Sequence, residues 1–274
     1  MNNASKRMVY MISDGTGITV ESLSNSLMSQ FESIVFEKKI FPFVDTVAKI
    51  SAICEEIETY YQTSGLRPLV FMTLVNPEIG ACIQSTSACV MDLFATFLSP
   101  LEEELGVKAS DTVGLAHAVN NTNYDQRIDA VNYSLAYDDG MKIDGYEQAD
   151  IILVGVSRCG KTPSCLYMAL QYGIYAANYP FTLDELSRHK LPQTLQRFRT
   201  KLFGLTIDPL RLQCIRSERR PNSPYCSIEQ CRQEVREAEM LYQYEKIPFL
   251  DSTHFSIEEI AAKIMAIANI QRKI

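Results

Sequence analysis

Apolar positions along the chain fall into short continuous runs that alternate with stretches of helical spacing. Residues 8–12 form a short β-rich run and 13–17 a turn; 18–31 then carries apolar residues at Ile18, Leu23, Leu27 and Phe31, the spacing of one helix face. A second strand is predicted over 34–41. The spacing over 45–61 predicts a helix, with Val47, Ile50, Ile53, Ile57, Tyr60 and Tyr61 on one stripe. Residues 69–75 are apolar throughout, as in a parallel strand buried on both faces. A strand over 89–93 and a helix over 94–105 complete the first half. Repeated strand-then-helix units imply a parallel sheet with helical crossovers.

Residues 106–150 break this pattern. They are polar, rich in Asn and Asp, and include the turn-like Asp138-Asp139-Gly140. A domain boundary is expected near 140, give or take about ten residues. The pattern then restarts, with an apolar strand over 151–156, a helix over 163–172 and strands over 174–178 and 202–207. A long helix over 227–244 opens with Ser227-x-x-Gln230, and the last helix opens with Ser256-x-x-Glu259, both read as capping boxes. The last helix shows a core face at Ile260, Ile264 and Ile267, and a short strand over 247–250 precedes it. The expected fold class is α/β: an N-terminal parallel α/β domain over 1–140, then, because the run G-V-S-R-C-G-K-T at 155–162 fits G-x-x-x-x-G-K-S/T, a P-loop kinase-like α/β domain over 141–274.

Composition adds limits. Hydrophobic residues are 46% of the 274 and charged residues 22%, which excludes wholesale disorder. No apolar run approaches the roughly 20 residues of a membrane span, and the polar start, M-N-N-A-S-K-R, does not read as a signal peptide, so the expected compartment is the cytoplasm, with no membrane partner. The eight cysteines, at 54, 82, 89, 159, 165, 214, 226 and 231, form no C-x-x-C pair, and with only three histidines they read as reduced, mostly buried small hydrophobes rather than metal ligands. The net charge of −7 argues against nonspecific nucleic-acid binding. Its distribution is uneven. Residues 1–150 hold nine Lys and Arg against 21 Asp and Glu, whereas 188–220 hold nine against two. An acidic protein thus carries one local anion site.

The motif that carries chemistry is G-V-S-R-C-G-K-T at 155–162, which fits G-x-x-x-x-G-K-S/T at every specified position and lies between an apolar strand and a helical segment. Gly155 and Gly160 let the backbone of Val156, Ser157, Arg158 and Cys159 wrap so that amides converge on a phosphate, and the following helix N-terminus adds partial positive charge. Lys161 reaches the terminal phosphate of a nucleotide, and the Thr162 hydroxyl is a ligand for Mg2+. Sites of this kind need an acid at a neighbouring strand end. Asp208 and Asp251 both end apolar runs. Asp208 is the stronger catalytic candidate, although Asp-Pro also reads as a helix cap with proline in the first turn. Arg211, Arg216, Arg219 and Arg220 lie close together, and their planar forks suit a second, phosphate-bearing substrate; the competing reading is a solvated helix face.

Three further features remain. Ser13-Asp14-Gly15-Thr16-Gly17 begins like a dinucleotide fingerprint but has Val20 where the third glycine belongs. Asp14 or Thr16 caps a helix there, or the turn binds an anion. His117 reads as structural, and His254 as a loop residue or as polar lining of the site.

Four segments resemble one family: I-S-D-G-T-G-I-T-V-E-S at 12–22, D-I-I-L-V-G-V-S-R-C-G-K-T-P-S at 150–164, A-A-N-Y-P-F at 176–181 and G-L-T-I-D-P-L-R-L-Q-C-I-R-S-E-R-R at 204–220. They are similar to the bacterial phosphoenolpyruvate synthase regulatory proteins, whose plant counterparts regulate pyruvate, phosphate dikinase. Many dikinase-type members have Ser where Gly160 stands, so the intact G-K-T favours the synthase branch. The resemblance implies a bifunctional phosphotransferase. With ADP as donor it phosphorylates a threonine of the synthase, beside that enzyme's catalytic histidine. With inorganic phosphate as co-substrate it removes that phosphate and releases pyrophosphate. The family's nucleotide-binding loop falls on 155–162 without a gap. Two other readings stay open, a P-loop kinase that phosphorylates a small molecule with ATP and a non-catalytic nucleotide sensor. The acidic first half is a docking surface or a homodimer contact.

Overall fold

In a computed structural model, which describes residues 5–110, 112, 121–140, 142–221 and 223–274, the chain divides into two compact units, Met1–Ala118 and Val119–Ile274. His117 lies outside the described residues.

In the first unit, strands β1 (Ser5–Ser13), β2 (Ile34–Phe41), β3 (Leu69–Thr73) and β4 (Cys89–Asp92) form a wholly parallel sheet in the order β2-β1-β3-β4. Helices α1 (Ile18–Met28), α2 (Val47–Ser64), α3 (Pro77–Gln84) and α4 (Leu93–Leu105) make the connections. Side chains alternate across a strand, so both faces of the inner strands need cover. Tyr10, Ile12, Val70 and Met72 meet Ile50, Ile53 and Ile57 of α2 and Ile79 and Ile83 of α3. Val9, Met11 and Phe71 meet Val20 and Met28 of α1 and Leu93 of α4. This explains why 69–73 reads as unbroken apolar sequence.

In the second unit, β5 (Ile151–Gly155), β6 (Ala176–Pro180), β7 (Leu202–Thr206) and β8 (Phe249–Asp251) form another parallel sheet, in the order β6-β5-β7-β8. Its helices are α5 (Asn121–Ala136), α6 (Lys161–Tyr172), α7 (Leu183–Ser187), α8 (Gln193–Gln196), α9 (Pro209–Arg219), α10 (Ile228–Glu245) and α11 (Ile257–Ile267). The fold class is α/β throughout. Among the described residues, no helix is long and apolar enough to cross a membrane. All eight cysteines are free; Cys159, Cys165, Cys226 and Cys231 are buried and Cys214 is exposed.

Several elements differ from the sequence expectation. The units divide between Ala118 and Val119 rather than near 140, because α5 belongs to the second core. Its Tyr133 is buried, stacks on Tyr175 at 4.8 Å and donates to the Gly145 carbonyl at 2.8 Å. Helix α3 has no counterpart in the expectation, although Asn76 caps it and Pro77 opens it, both ordinary start signals. The face assigned to α1 is turned: Ile18, Leu27 and Phe31 are exposed, and Val20, Ser24 and Met28 are buried. Ser24 tolerates burial because its hydroxyl is bonded to the Val20 carbonyl. At the other end of the chain, Ile267 is exposed while Ile260 and Ile264 are core. Ser256 and Glu259 form a full capping box. At Ser227 only half the box forms, because the Gln230 amide side chain donates to Glu234 instead.

Candidate phosphate-binding loop of the second unit

Strand β5 is buried along its whole length and delivers the chain into 155–162. Gly155 is required by close approach. A Cβ there would lie 2.5 Å from the Leu205 carbonyl oxygen and 3.0 Å from both the Cys159 sulfur and the Tyr242 hydroxyl. Gly160 stands at φ +96° as the N-cap of α6, with no side chain capping the helix, so the first amides of α6 open into the loop. Arg158 adopts φ +77° without being glycine, and its side chain is exposed.

The loop is held from several sides. The Ser252 hydroxyl lies 3.0 Å from the Cys159 carbonyl and 2.9 Å from the Thr206 carbonyl. The Tyr242 hydroxyl sits 3.1 Å from the carbonyls of both Val154 and Leu205, and burial pushes its pKa well up, which keeps it a donor. Tyr225 donates to the Ser157 hydroxyl at 2.9 Å. Lys161 is only 4% exposed, and its ammonium donates to the carbonyls of Gly155 at 3.1 Å and Val156 at 2.8 Å.

An acid that the sequence did not single out meets this loop. Thr162 donates its hydroxyl proton to Oδ1 of Asp138 at 2.8 Å. Asn178, fully buried on β6, bonds the same oxygen through Nδ2, and its Oδ1 accepts from the Asp139 amide at 3.1 Å. The Gly140 amide donates to the Asn178 backbone carbonyl at 3.1 Å. The segment read as a turn is therefore clamped to β6 so that a half-buried carboxylate faces Thr162. Among the described residues, no group of three His, Cys, Asp or Glu side chains could cage a metal. The pair Thr162 and Asp138 is nonetheless a hard-oxygen donor set. It fits Mg2+, which keeps several waters and takes its remaining ligands from one or two protein oxygens and substrate phosphates.

The other expected site residues fare differently. Asp208 caps α9: its Oδ1 accepts from the amides of Leu210 and Arg211, both at 2.9 Å. The amide of Asp208 donates to Thr253, whose hydroxyl is bonded to Asp251. His254 lies in the loop that precedes α11. Arg216 is not exposed alongside Arg211, Arg219 and Arg220. Its guanidinium is 0% exposed, pairs with Glu234 at 2.6 Å, and donates to the carbonyls of Tyr225 and Ser157 at 3.1 Å. Its Cζ lies over the Tyr225 ring, 4.2 Å from the centroid. Burial opposes the charge, yet the hydrogen bond and charge of Glu234 hold the group above the ordinary arginine range. Arg216 thus braces the loop from behind. Arg211, Arg219 and Arg220 remain exposed on or beside α9.

Comparison with known proteins decides the family. The model of the kinase/pyrophosphorylase family matches residues 9–265. The chain belongs to that family. A Legionella pneumophila protein named "Putative phosphoenolpyruvate synthase regulatory protein" is 58% identical over 270 residues, covering 98% of this chain and all of the relative. Proteins of the same name from Pseudomonas aeruginosa and Ectopseudomonas mendocina are each 52% identical, and the alignment covers 98% of this chain in both cases and 98% and 99% of the relatives. The family match spans both units and includes 155–162, Asp138 and Asn178.

Proposed function

We propose that this chain regulates a phosphoenolpyruvate synthase through two opposed phosphoryl transfers at the 155–162 loop. The supporting observation is the near-full-length identity of 58% to a protein bearing that regulatory name. In one direction the β-phosphoryl group of ADP passes to a threonine oxygen of the synthase and AMP leaves. In the other, an oxygen of free phosphate attacks the phosphothreonine phosphorus, the P–O bond to threonine breaks with the proton returning to the threonine oxygen, and the pyrophosphate formed is released. Free phosphate then occupies the place of the AMP α-phosphate, so the second reaction is the first in reverse with the adenosine omitted.

Both directions pass through a metaphosphate-like centre that needs positioning and charge stabilisation more than covalent help. The amides at the start of α6 hold the non-transferred phosphate. Lys161 turns its ammonium from the loop carbonyls to the transferring group. Thr162 and Asp138 would hold Mg2+, which would supply positive charge against the transferring phosphoryl group. Asn178 fixes the direction of the Asp138 carboxylate. We assign the metal-orienting acid to Asp138 and leave Asp208 as the cap of α9. Arg211, Arg219 and Arg220 meet the phosphorylated or acidic surface of the target.

The test is mass spectrometry of a candidate synthase incubated with this protein, Mg2+ and ADP. The expected result is one phosphothreonine, erased when phosphate is added, with pyrophosphate released in equal amount. Phosphate transferred from γ-labelled ATP but not from β-labelled ADP would identify an ordinary kinase. Loss of synthase activity with no change in its mass would identify a binding regulator.

A further inference from the structure

The basic stretch at 188–220 does not stay together in the fold. Arg197 and Arg199 pair with Glu147 and Glu245, Lys201 donates to the Glu147 carbonyl, Arg216 is buried, and Arg211, Arg219 and Arg220 lie on or beside α9. The remaining two cations, Arg188 and Lys190, flank His189 at the end of α7, where that helix packs on α10. A crevice of about 380 Å3 opens there, lined by His189 and by Arg232, Gln233, Arg236, Glu237 and Met240 of α10.

The cations of this crevice are unspent. Arg232 and Arg236 stand four residues apart on α10, a like-charge spacing that costs helix stability. Both are exposed, and among the described residues neither is in an ion pair. Nearby acids of α10 are committed elsewhere: Glu234 holds Arg216 at 2.6 Å, and Glu239 accepts from the Thr206 hydroxyl at 2.7 Å. His189 stands at φ +49°, a conformation uncommon outside glycine, and its amide donates to the Leu186 carbonyl at 2.9 Å, which fixes it at the end of α7.

Glu237 narrows the ligand. Its Oε1 accepts from Gln233 Nε2 at 2.9 Å, whereas its Oε2 is buried and has no hydrogen-bond partner among the described residues. A buried carboxylate oxygen in that state needs a donor. An occupant must therefore offer oxygens to two guanidinium forks and a hydroxyl to one carboxylate. We propose that this crevice binds inorganic phosphate as its monohydrogen dianion. Arg232 and Arg236 donate to the unprotonated oxygens, His189 donates a ring N–H from the α7 side, and the P–OH donates to Glu237. Sulfate has the same shape and charge but no proton at neutral pH, so it would set lone pairs against the Glu237 carboxylate. Phosphate monoesters, largely dianionic at neutral pH, lack the proton in the same way.

Calorimetry at neutral pH and fixed ionic strength tests this on the full chain carrying Lys161→Ala, with sodium phosphate and sodium sulfate as probes. One equivalent of phosphate should bind at this crevice, and sulfate should bind at least about tenfold more weakly, the worth of one hydrogen bond to a charged group. Adding Arg232→Gln and Arg236→Gln should weaken phosphate binding about tenfold or more, with the circular dichroism spectrum unchanged. Adding Glu237→Gln instead supplies an amide donor, so sulfate should gain and the preference for phosphate should fall below about threefold. Every comparison is made in the Lys161→Ala chain, so whatever the 155–162 loop binds drops out of the differences. Phosphate bound equally by the arginine variant, sulfate bound as tightly as phosphate, or no binding of either at millimolar concentration would overturn the proposal.

Discussion

The hydroxyl of Thr162 donates to the carboxylate of Asp138 across 24 residues of sequence at 2.8 Å, and Asn178 holds that carboxylate in place. The pair joins the first turn of α6 to a segment that otherwise looks like a connector.

Asp138→Asn keeps the shape and the hydrogen bond from Thr162 but removes the charge. Both transfer directions should slow together, and the apparent Mg2+ affinity should fall about 10–100-fold, with partial recovery at high Mg2+. Steady-state rates measured against Mg2+ concentration check this. An unchanged Mg2+ dependence would return the metal-orienting role to Asp208 or Asp251.

Arg216 and Glu234 form a buried pair with side-chain exposures of 0% and 9%. Arg216→Ala leaves Glu234 charged without its partner and should cost about 3–5 kcal/mol of stability. The double change Arg216→Met with Glu234→Leu should recover most of that loss. Chemical denaturation of the two variants, with ADP affinity followed in parallel, separates stability from loop geometry: the Ser157 carbonyl loses its donor in both the single and the double variant.

Arg211, Arg219 and Arg220 are exposed, so replacing all three by Ala should shift stability by no more than about 0.5 kcal/mol per site. ADP affinity should stay constant while KM for the protein target rises and its salt dependence flattens. Loss of ADP affinity instead would move these arginines to the nucleotide.

Glu259 sits in the capping box of α11, where the Ser256 amide and hydroxyl hold its carboxyl below the ordinary range. A folded value below the unfolded 4.5 means its stabilisation is complete above that pH and disappears as pH falls through the folded value. Thermal melts between pH 7 and pH 3 should therefore show a smaller acid-induced loss in Glu259→Gln than in the parent.

What was legible in the sequence was local. The loop at 155–162 announces itself because glycine, lysine and threonine must occupy fixed offsets between a strand and a helix. The Ser256 box lies within four residues, and the buried strands read as apolar runs. Asp138 was hidden because its partner Asn178 lies 40 residues on, and a D-D-G run reads as a turn whether or not β6 clamps it. Arg216 was misplaced because sequence treats charge as exposed, and only Glu234, on another helix, makes its burial tolerable. α5 escaped notice because a polar helix that buries little beyond Ala130, Tyr133 and Ser134 lacks a wide apolar stripe. The face of α1 differs from its apolar spacing because Ser24, a polar residue, lies on the buried side with its hydroxyl satisfied within the helix.

Helix α9 has two clients. Its outer surface offers guanidinium groups to whatever arrives from solution, and its inner surface sends Arg216 through the wall to grip the Ser157 carbonyl. Under the proposed function, a target that docks on the outside would bear on the same helix whose Arg216 braces the 155–162 loop.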